Sequence, residues 1–279
     1  MANWLKNTTV IITGASGGIG KGIAIRLIQK YNCKVIGIAR NEEKIKTVIE
    51  ELGDKAENFS YHLFDVSIEE NWKNFALHLQ ENNIAPDMLI NNAGLLPKFN
   101  KFGNYSIEYI KAVMNINFYA SVYSMHYLMP LLLKSDKAAV INISSSAALC
   151  SLAGTSVYTA SKAALKGLTE AAREEYRGEC YIGLVCPGFT KTDIFSSQRK
   201  ISDAESKAIE AISSSCETVV KKIVHGISTK KELMVYGTDA RLMYNGNRVA
   251  AVKTGSVCSK AMKVSKASLF ADVFRKDKN

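Results

Sequence analysis

Apolar runs recur along the chain in a fixed rhythm: "TTVIIT", "KVIGIA", "FSYHLFD", "DMLINNAG", "AAVINISSS", "YIGLVCPG" and "ELMVYG". Most are nearly continuous rather than alternating, the pattern of strands buried on both faces. Between them lie stretches with helical periodicity. These are "GIGKGIAIRLIQKY", "EEKIKTVIEEL", "EENWKNFALHLQENN", the material from Ser106 to Lys134, and "SVYTASKAALKGLTEAAREE". Apolar strands alternating with helices predict an α/β fold whose parallel sheet carries helices on both faces. Right-handed crossovers then give a doubly wound, Rossmann-like sheet, with an expected strand order of 3-2-1-4-5-6-7. No linker, repeat or low-complexity stretch splits the chain. A single domain over 1–279 is expected, with a core of about residues 5–240 and a basic extension of about 241–279.

Composition narrows this picture. A length of 279 residues suits one large α/β domain. Hydrophobic content of 47% and charged content of 22% are ordinary for a globular chain. No apolar run is long enough to predict a membrane-spanning helix. The opening "MANWLKN" leads straight into the first strand and lacks the parts of a signal peptide, so a cytoplasmic protein is expected. The six cysteines form no CxxC pair and read as reduced thiols. The four histidines show no zinc spacing, so no metal is expected.

The net charge of +10 raises nucleic-acid binding as a reading. The charge is uneven, however. From Arg241 to Asn279 there are nine Lys or Arg against two Asp or Glu, so about +7 sits in the tail. A basic tail of this kind reads first as a solvated face, and no nucleic-acid partner is expected. Within it Val257, Ala261 and Val264 fall at helical spacing, and Leu269, Phe270, Val273 and Phe274 add apolar surface. Such a segment can lie on an anionic membrane. Closure over a pocket or a subunit interface is weighted above that.

Two stretches carry candidate chemistry. The turn "TGASGGIG", Thr13 to Gly20, joins the first strand to a helix. Gly14 permits the tight turn, Gly18 lets backbone approach a phosphate, and Gly20 allows close packing. The N–H groups of the helix start and the helix dipole favour an anion. The stretch "YTASK" places Tyr158 and Lys162 on one face of a helix.

"TGASGGIG", "NNAG" (Asn91 to Gly94), "SSS" (Ser144 to Ser146), "YTASK" and "PGFTKT" (Pro187 to Thr192) occur in one order at compatible spacings. In this the chain resembles the short-chain dehydrogenase/reductase family, in its single-domain branch, over about residues 5–240. The resemblance implies a catalytic tetrad. Tyr158 would be the general acid/base, and Lys162 would bind the nicotinamide ribose and lower the tyrosine pKa. Ser145 fits the family spacing better than Ser144 or Ser146. Asn117 fits by its distance to Pro130, with Asn115 as the competing choice, and would help relay protons by way of Lys162. The physics agrees. A phenol with pKa near 10 is a poor base at neutral pH, and a nearby ammonium favours the phenolate.

The resemblance also implies a cofactor site. Gly14, Ser16, Gly17, Gly18, Ile19 and Gly20 would hold the pyrophosphate. Asp65 and Val66 would contact adenine, although Asp65 is also a natural helix cap. Asn92, Ala93 and Gly94 would line the cofactor. Pro187, Gly188, Thr190 and Thr192 would hold its carboxamide end. The second strand ends in Ala39 and Arg40, where an NAD enzyme usually has an acidic residue for the ribose 2′-hydroxyl. A guanidinium pairs well with a 2′-phosphate, so NADP(H) is the expected coenzyme. One feature of NADP enzymes is absent: the position before the second glycine is Gly17, not a basic residue.

The resemblance makes Thr190 to about Ser215 a lid that shapes substrate choice. Leu95, Leu96, Ala147, Leu149, Cys150, Val157 and Phe189 would line the pocket. That lining suits a ketone or secondary alcohol on a hydrophobic body, such as a steroid. A homodimer or homotetramer is expected through residues 106–134 and 157–176. A non-catalytic NADP(H)-binding sensor or scaffold is the rival class. The complete set of Ser145, Tyr158 and Lys162 argues against it.

Overall fold

The computed structural model describes residues 4–192, 194, 202–265 and 268–275. Seven parallel strands form the main sheet: β1 Thr9–Thr13, β2 Lys34–Ala39, β3 Phe59–Leu63, β4 Met88–Asn91, β5 Ala139–Ile143, β6 Tyr181–Pro187 and β7 Leu233–Tyr236. Their order is 3-2-1-4-5-6-7, as the sequence pattern predicts. The order reverses beside β1, which pairs with β2 on one edge and β4 on the other. A crevice opens at such a switch point, outside the carboxyl ends of the strands.

The continuous apolar runs follow from burial on both sides. Val10 and Ile12 of β1 face a core built with α1 (Gly18–Tyr31), α2 (Glu42–Leu52) and α8 (Cys216–Ser228). Ile11 faces the opposite core, with α3 (Glu69–Glu81), α5 (Ala120–Leu132) and α6 (Ser156–Glu175). All three β1 side chains are fully buried. Each contributes roughly 1.5–3 kcal/mol of transfer free energy.

A buried polar chain fixes how α5 and α6 sit on the sheet. Ser124 Oγ donates to Asn91 Oδ1 (2.7 Å), Asn91 Nδ2 to Asn142 Oδ1 (2.9 Å), and Asn142 Nδ2 to Thr169 Oγ1 (2.9 Å). Each member is nearly or fully buried, so losing any partner would strand a polar group without water.

Two features depart from a simple helical reading. The stretch from Ser106 to Lys134 is not one regular helix. α4 (Ile107–Met114) and α5 are joined by a π-helical turn over Asn115–Tyr119, and Asn117 lies inside that turn. The widened turn carries an extra residue inward, as such bulges often do at functional sites. The second feature is the tail. α9 runs Thr238–Ser265 with a break at Ala250 (φ −146°, ψ 65°). Its inward side packs through Met243, Cys258 and Met262. Val257 and Val264 point outward, 64% and 78% exposed, although their spacing suggested an apolar face. A short turn, Ser268–Phe270, and a final helix α10, Ala271–Phe274, follow.

Of the expected lid, Thr190–Lys191 and Ser214–Ser215 pair as a two-residue parallel ladder, with α7 (Asp203–Ile212) between them. Residues 193 and 195–201 of that lid, and residues 266–267 and 276–279 of the tail, lie outside the described residues.

Candidate active site

The carboxyl ends of β1, β4, β5 and β6 surround a cleft with a cavity of about 300 Å³. Its floor begins at the first turn. Gly14 has φ +66°, a conformation costly for any residue with a Cβ. A Cβ on Gly20 would stand 2.3 Å from the Gly14 carbonyl oxygen, so that glycine is required by close approach of the first helical turn. α1 starts at Gly18, with Gly17 as its N-cap, no capping side chain and no acidic residue in its first turn. A Cβ on Gly17 would meet nothing within 4 Å. The helix start therefore presents N–H groups to open space, a fit for a pyrophosphate.

The "NNAG" loop is tied to this turn. Asn92 N–H and Ala93 N–H both donate to Thr13 Oγ1 at 2.9 Å, and Asn92 Nδ2 donates to Thr13 O at 3.0 Å. Asn92 thus lines the cleft while its carboxamide holds the phosphate turn in place.

The reactive groups come from β5 and α6. Tyr158 is 8% exposed and lines the cleft together with Ser145. Ser145 Oγ accepts from Ala147 N–H (3.2 Å). Lys162, 4% exposed, donates from Nζ to Ile143 O (3.0 Å). Ser144 Oγ donates to the Lys162 carbonyl (2.9 Å), which locks the turn after β5 to α6. Burial pushes the Lys162 ammonium down to about 8. Burial likewise pushes the Tyr158 hydroxyl up, opposed by its hydrogen bond to Ser145. The expected lowering of the phenol by Lys162 is not seen in the protein alone. Burial dominates there, and the phenol is held protonated.

Asn117 is fully buried, whereas Asn115 is exposed, which separates the two candidates. Asn117 Oδ1 accepts from Leu95 N–H (2.8 Å), and Nδ2 donates to Leu95 O (3.0 Å) and Ser161 Oγ (3.0 Å). Its carboxamide therefore ties the loop after β4 to the helix bearing Tyr158 and Lys162. It sits next to Gly94: a Cβ there would lie 3.2 Å from Asn117 Oδ1 and 3.3 Å from Lys162 Nζ.

The cleft brings together most of the expected cofactor residues. Gly14, Ser16, Gly17, Gly18 and Ile19 line it from the first turn, and Asn92, Ala93 and Gly94 from the second. Pro187, Gly188, Thr190 and Thr192 line it from the loop after β6. Gly20, Arg40, Asp65, Val66 and Asn117 do not reach its surface. Arg40 Nη1 lies 3.5 Å from Asp65 Oδ2, an ion pair between the loops after β2 and β3. Asp65 also accepts from Ser67 N–H (2.9 Å) and Ser67 Oγ (2.7 Å), so it does cap the turn before α3. Burial would raise the Asp65 carboxyl, but Ser67 and Arg40 outweigh it and hold it below its ordinary value.

Four of the seven residues expected to line the pocket need correction. Leu96, Ala147 and Phe189 line the cleft. Leu95 and Val157 pack with Val113 beneath it, Leu149 packs with Leu184 and Cys186, and Cys150 packs with Leu152 and Met243. Those side chains point into core rather than toward the mouth. Phe99, Leu152 and Ile194 complete the apolar wall. Lys44 of α2 also lines the cleft, and no Asp or Glu is found among its described lining residues. Asp239 is a further residue that sequence reasoning missed. Its Oδ2 accepts from Phe189 N–H (2.8 Å), and a Cβ on Gly188 would stand 2.1 Å from its Oδ1. It fixes the loop that follows β6. Its place outside the motif, at the start of α9, left no local signal.

A glycine-rich turn at a topological switch point, beside a helix that carries a tyrosine and a lysine into the same cleft, is the arrangement of a class of nucleotide-dependent oxidoreductase. A model of the family described as short chain dehydrogenase matches residues 8–203, and the chain belongs to that family of NAD(P)-binding oxidoreductases. It is similar to the cyclohexanol dehydrogenase of Acinetobacter sp. (strain SE19), 34% identical over 200 residues, covering 70% of this chain and 78% of that one. It is also similar to the 3-ketodihydrosphingosine reductase of Bos taurus, 30% identical over 228 residues, covering 79% and 68%. Among solved structures, the closed form of serine dehydrogenase complexed with NADP+ aligns with a TM-score of 0.72 and 26% identity, over 82% of this chain and 92% of that one. Among the described residues no helix is long and apolar enough to cross a membrane, and no cluster of metal-ligating side chains occurs.

Proposed function

We propose that this chain interconverts a ketone and a secondary alcohol on an apolar body, with NADP(H) as preferred coenzyme. The observation that carries the reading is the meeting of Ser145, Tyr158 and Lys162 on the surface of one cleft walled by Leu96, Phe99, Leu152 and Phe189. When bound, the nicotinamide supplies or accepts the hydride. Gly14, Ser16, Gly17, Gly18 and Ile19 hold the pyrophosphate, and Thr190 and Thr192 hold the carboxamide end.

The protein's own groups do the proton chemistry. A buried phenol held protonated is an acid ready to donate to an oxygen gaining negative charge. Ser145 has its acceptor side toward Ala147 N–H, which leaves its O–H to polarise the same oxygen. Lys162 keeps an ammonium beside Tyr158 and stabilises the phenolate left behind. Asn117 holds the backbone of the loop after β4 while the reaction proceeds, and no described hydrogen bond links it to Lys162.

The apolar wall supports a hydrophobic substrate, of which cyclohexanol and 3-ketodihydrosphingosine are the forms the relatives' names print. A steroid ketone belongs to the same class. The coenzyme reading rests on Ala39, which does not repel a 2′-phosphate, and on Arg40, which is drawn near by Asp65 yet 63% exposed along its side chain. Nicotinamide oxidation should be followed with a panel of alicyclic, steroid, long-chain and sugar ketones, using NADPH and NADH in turn. Turnover of the apolar ketones with NADPH is expected. Preference for sugars, or for NADH, would overturn the reading.

A further inference from the structure

The family match ends at residue 203, yet the apolar wall of the cleft is backed by residues far beyond it. Phe99 lines the cleft and is 3% exposed. On its cleft side it stacks against Phe189, with ring centroids 6.5 Å apart and planes 24° apart. It meets Phe270 edge-on, with centroids 5.1 Å apart and planes at 84°. Leu269, Phe270 and Val273 are 3%, 6% and 9% exposed and form one cluster with Phe99 and with Ile209 of α7. Val273 also presses on the loop after β5: a Cβ on Gly154 would lie 2.4 Å from Val273 Cγ2. Lys98, beside Phe99, forms an ion pair with Asp272. Ahead of this turn, Ala153 N–H donates to Ser259 Oγ of α9 (3.3 Å).

One short segment therefore touches three separate elements, two of which carry residues of the cleft wall. These are the loop after β4 through Lys98 and Phe99, the loop after β5 through Gly154, and α7 through Ile209. Elements that come from such distant parts of the chain have no direct covalent reason to stay together. Edge-to-face aromatic pairs add about 0.5–1.5 kcal/mol to the burial of their area. The packing holds the Phe99 ring toward the cleft, because Phe270 occupies the space behind it.

We propose that the C-terminal segment Ser268–Phe274 is a specificity-determining clasp. It packs α7 behind Phe99, fixes the Phe99 ring at the cleft wall and so limits the size of the carbonyl compound that enters. Phe270 and Val273 act as positioning residues, through Phe99 and α7 rather than on the substrate. The proposal rests on the reading of the cleft as the site of an apolar carbonyl substrate.

The test is Phe270→Ala in the full chain, with Phe270→Leu as the conservative variant and Asp272→Asn to loosen the Lys98 pair without opening a cavity. NADPH affinity is expected to stay within about twofold in all three, since the clasp is remote from the phosphate turn. Removing the ring lets Phe99 withdraw. The ratio of kcat/KM for a bulky steroid ketone to that for cyclohexanone should then rise about tenfold or more, within the range by which pocket fit discriminates substrates. Phe270→Leu should restore most of the original ratio. An unchanged ratio in Phe270→Ala, or equal losses for both ketones, would overturn the clasp.

Hydrogen exchange separates this from the functional reading. In Phe270→Ala, faster exchange is expected in residues 95–101 and 203–212, with β1 and β5 unchanged. If the wild-type chain reduces no ketone, the functional reading fails, and the exchange pattern alone decides the clasp: unchanged exchange in those two segments would refute it.

Discussion

Lys162 is an ammonium buried to 4% exposure with no carboxylate beside it, and that arrangement should be measurable as lost stability. Burial brings its pKa from 10.5 to about 8. At 1.36 kcal/mol per pH unit, the cost of keeping it charged at neutral pH is roughly 3 kcal/mol. Lys162→Met removes that cost but also removes the hydrogen bond to Ile143 O, worth about 1–3 kcal/mol if the carbonyl is left short of a donor. At pH 7 the variant should be as stable as the wild type or more so, by up to about 2 kcal/mol.

The pH dependence is the sharper test, because the hydrogen-bond loss does not vary with pH. The folded pKa lies below the unfolded one, so between about 8 and 10.5 the unfolded chain binds more protons. Wild-type stability must therefore rise with pH across that window, and a methionine cannot follow it. Between pH 7 and pH 9.5 the balance should move toward the wild type by roughly 2 kcal/mol. At about 2–4 °C per kcal/mol, the difference in Tm should change by roughly 4–8 °C. Thermal melts of both proteins at a series of pH values read this directly. Parallel curves would mean that Lys162 is better solvated than its burial implies and titrates alike in the folded and unfolded chain.

Tyr158→Phe removes one hydroxyl and should lower kcat by about 10²–10⁴-fold with NADPH affinity nearly intact; near-normal turnover in a steady-state assay would refute the assigned role. Arg40→Ala should weaken NADPH by roughly tenfold and NADH by less than twofold, the low end for a charge-assisted contact because Arg40 is exposed and already paired with Asp65; equal loss of both coenzymes in a fluorescence titration would remove the 2′-phosphate assignment. Because burial raises the Tyr158 pKa, the phenol stays protonated through neutral pH. Ketone reduction should therefore be flat across neutral pH and fall in alkali, while alcohol oxidation rises, and pH–rate profiles of kcat in both directions check the opposed signs.

Strand order and the phosphate turn were legible because each depends on local signals. An unbroken apolar run such as "TVIIT" has one stable solution, burial on both faces of a sheet, and a glycine turn after it can only lead into a close-packed helix. Tyr158 and Lys162 were legible for the same reason: helical spacing alone puts them on one face. The pocket lining was not. Successive residues after β5 point in different directions, and whether Leu149, Cys150 or Leu152 reaches the cleft is settled by how the loop packs on α9. The π-helical turn at Asn115–Tyr119 was invisible too, since its extra residue leaves the helical period almost unchanged over so short a run.

The tail shows why amphipathic spacing misled. Val257 and Val264 recur at helical intervals, but a helix with a break at Ala250 and methionines at Met243 and Met262 can bury the other side. The side that is buried is decided by what lies opposite, and here that is the loop after β5, with its cysteine, leucine and glycine. The described basic residues of α9, Arg241, Arg248, Lys253, Lys260 and Lys263, then face outward because the inward face is already committed to the protein body. The sequence weights closure over a pocket or a subunit interface above membrane contact; Leu269, Phe270 and Val273 find their partners behind the cleft wall, in Phe99 and Ile209. The outer side of α9 carries exposed Lys253, Lys260 and Lys263 alongside exposed Val249, Val252, Val257 and Val264, so its polarity is mixed and the continuous apolar face is the one turned to the protein body.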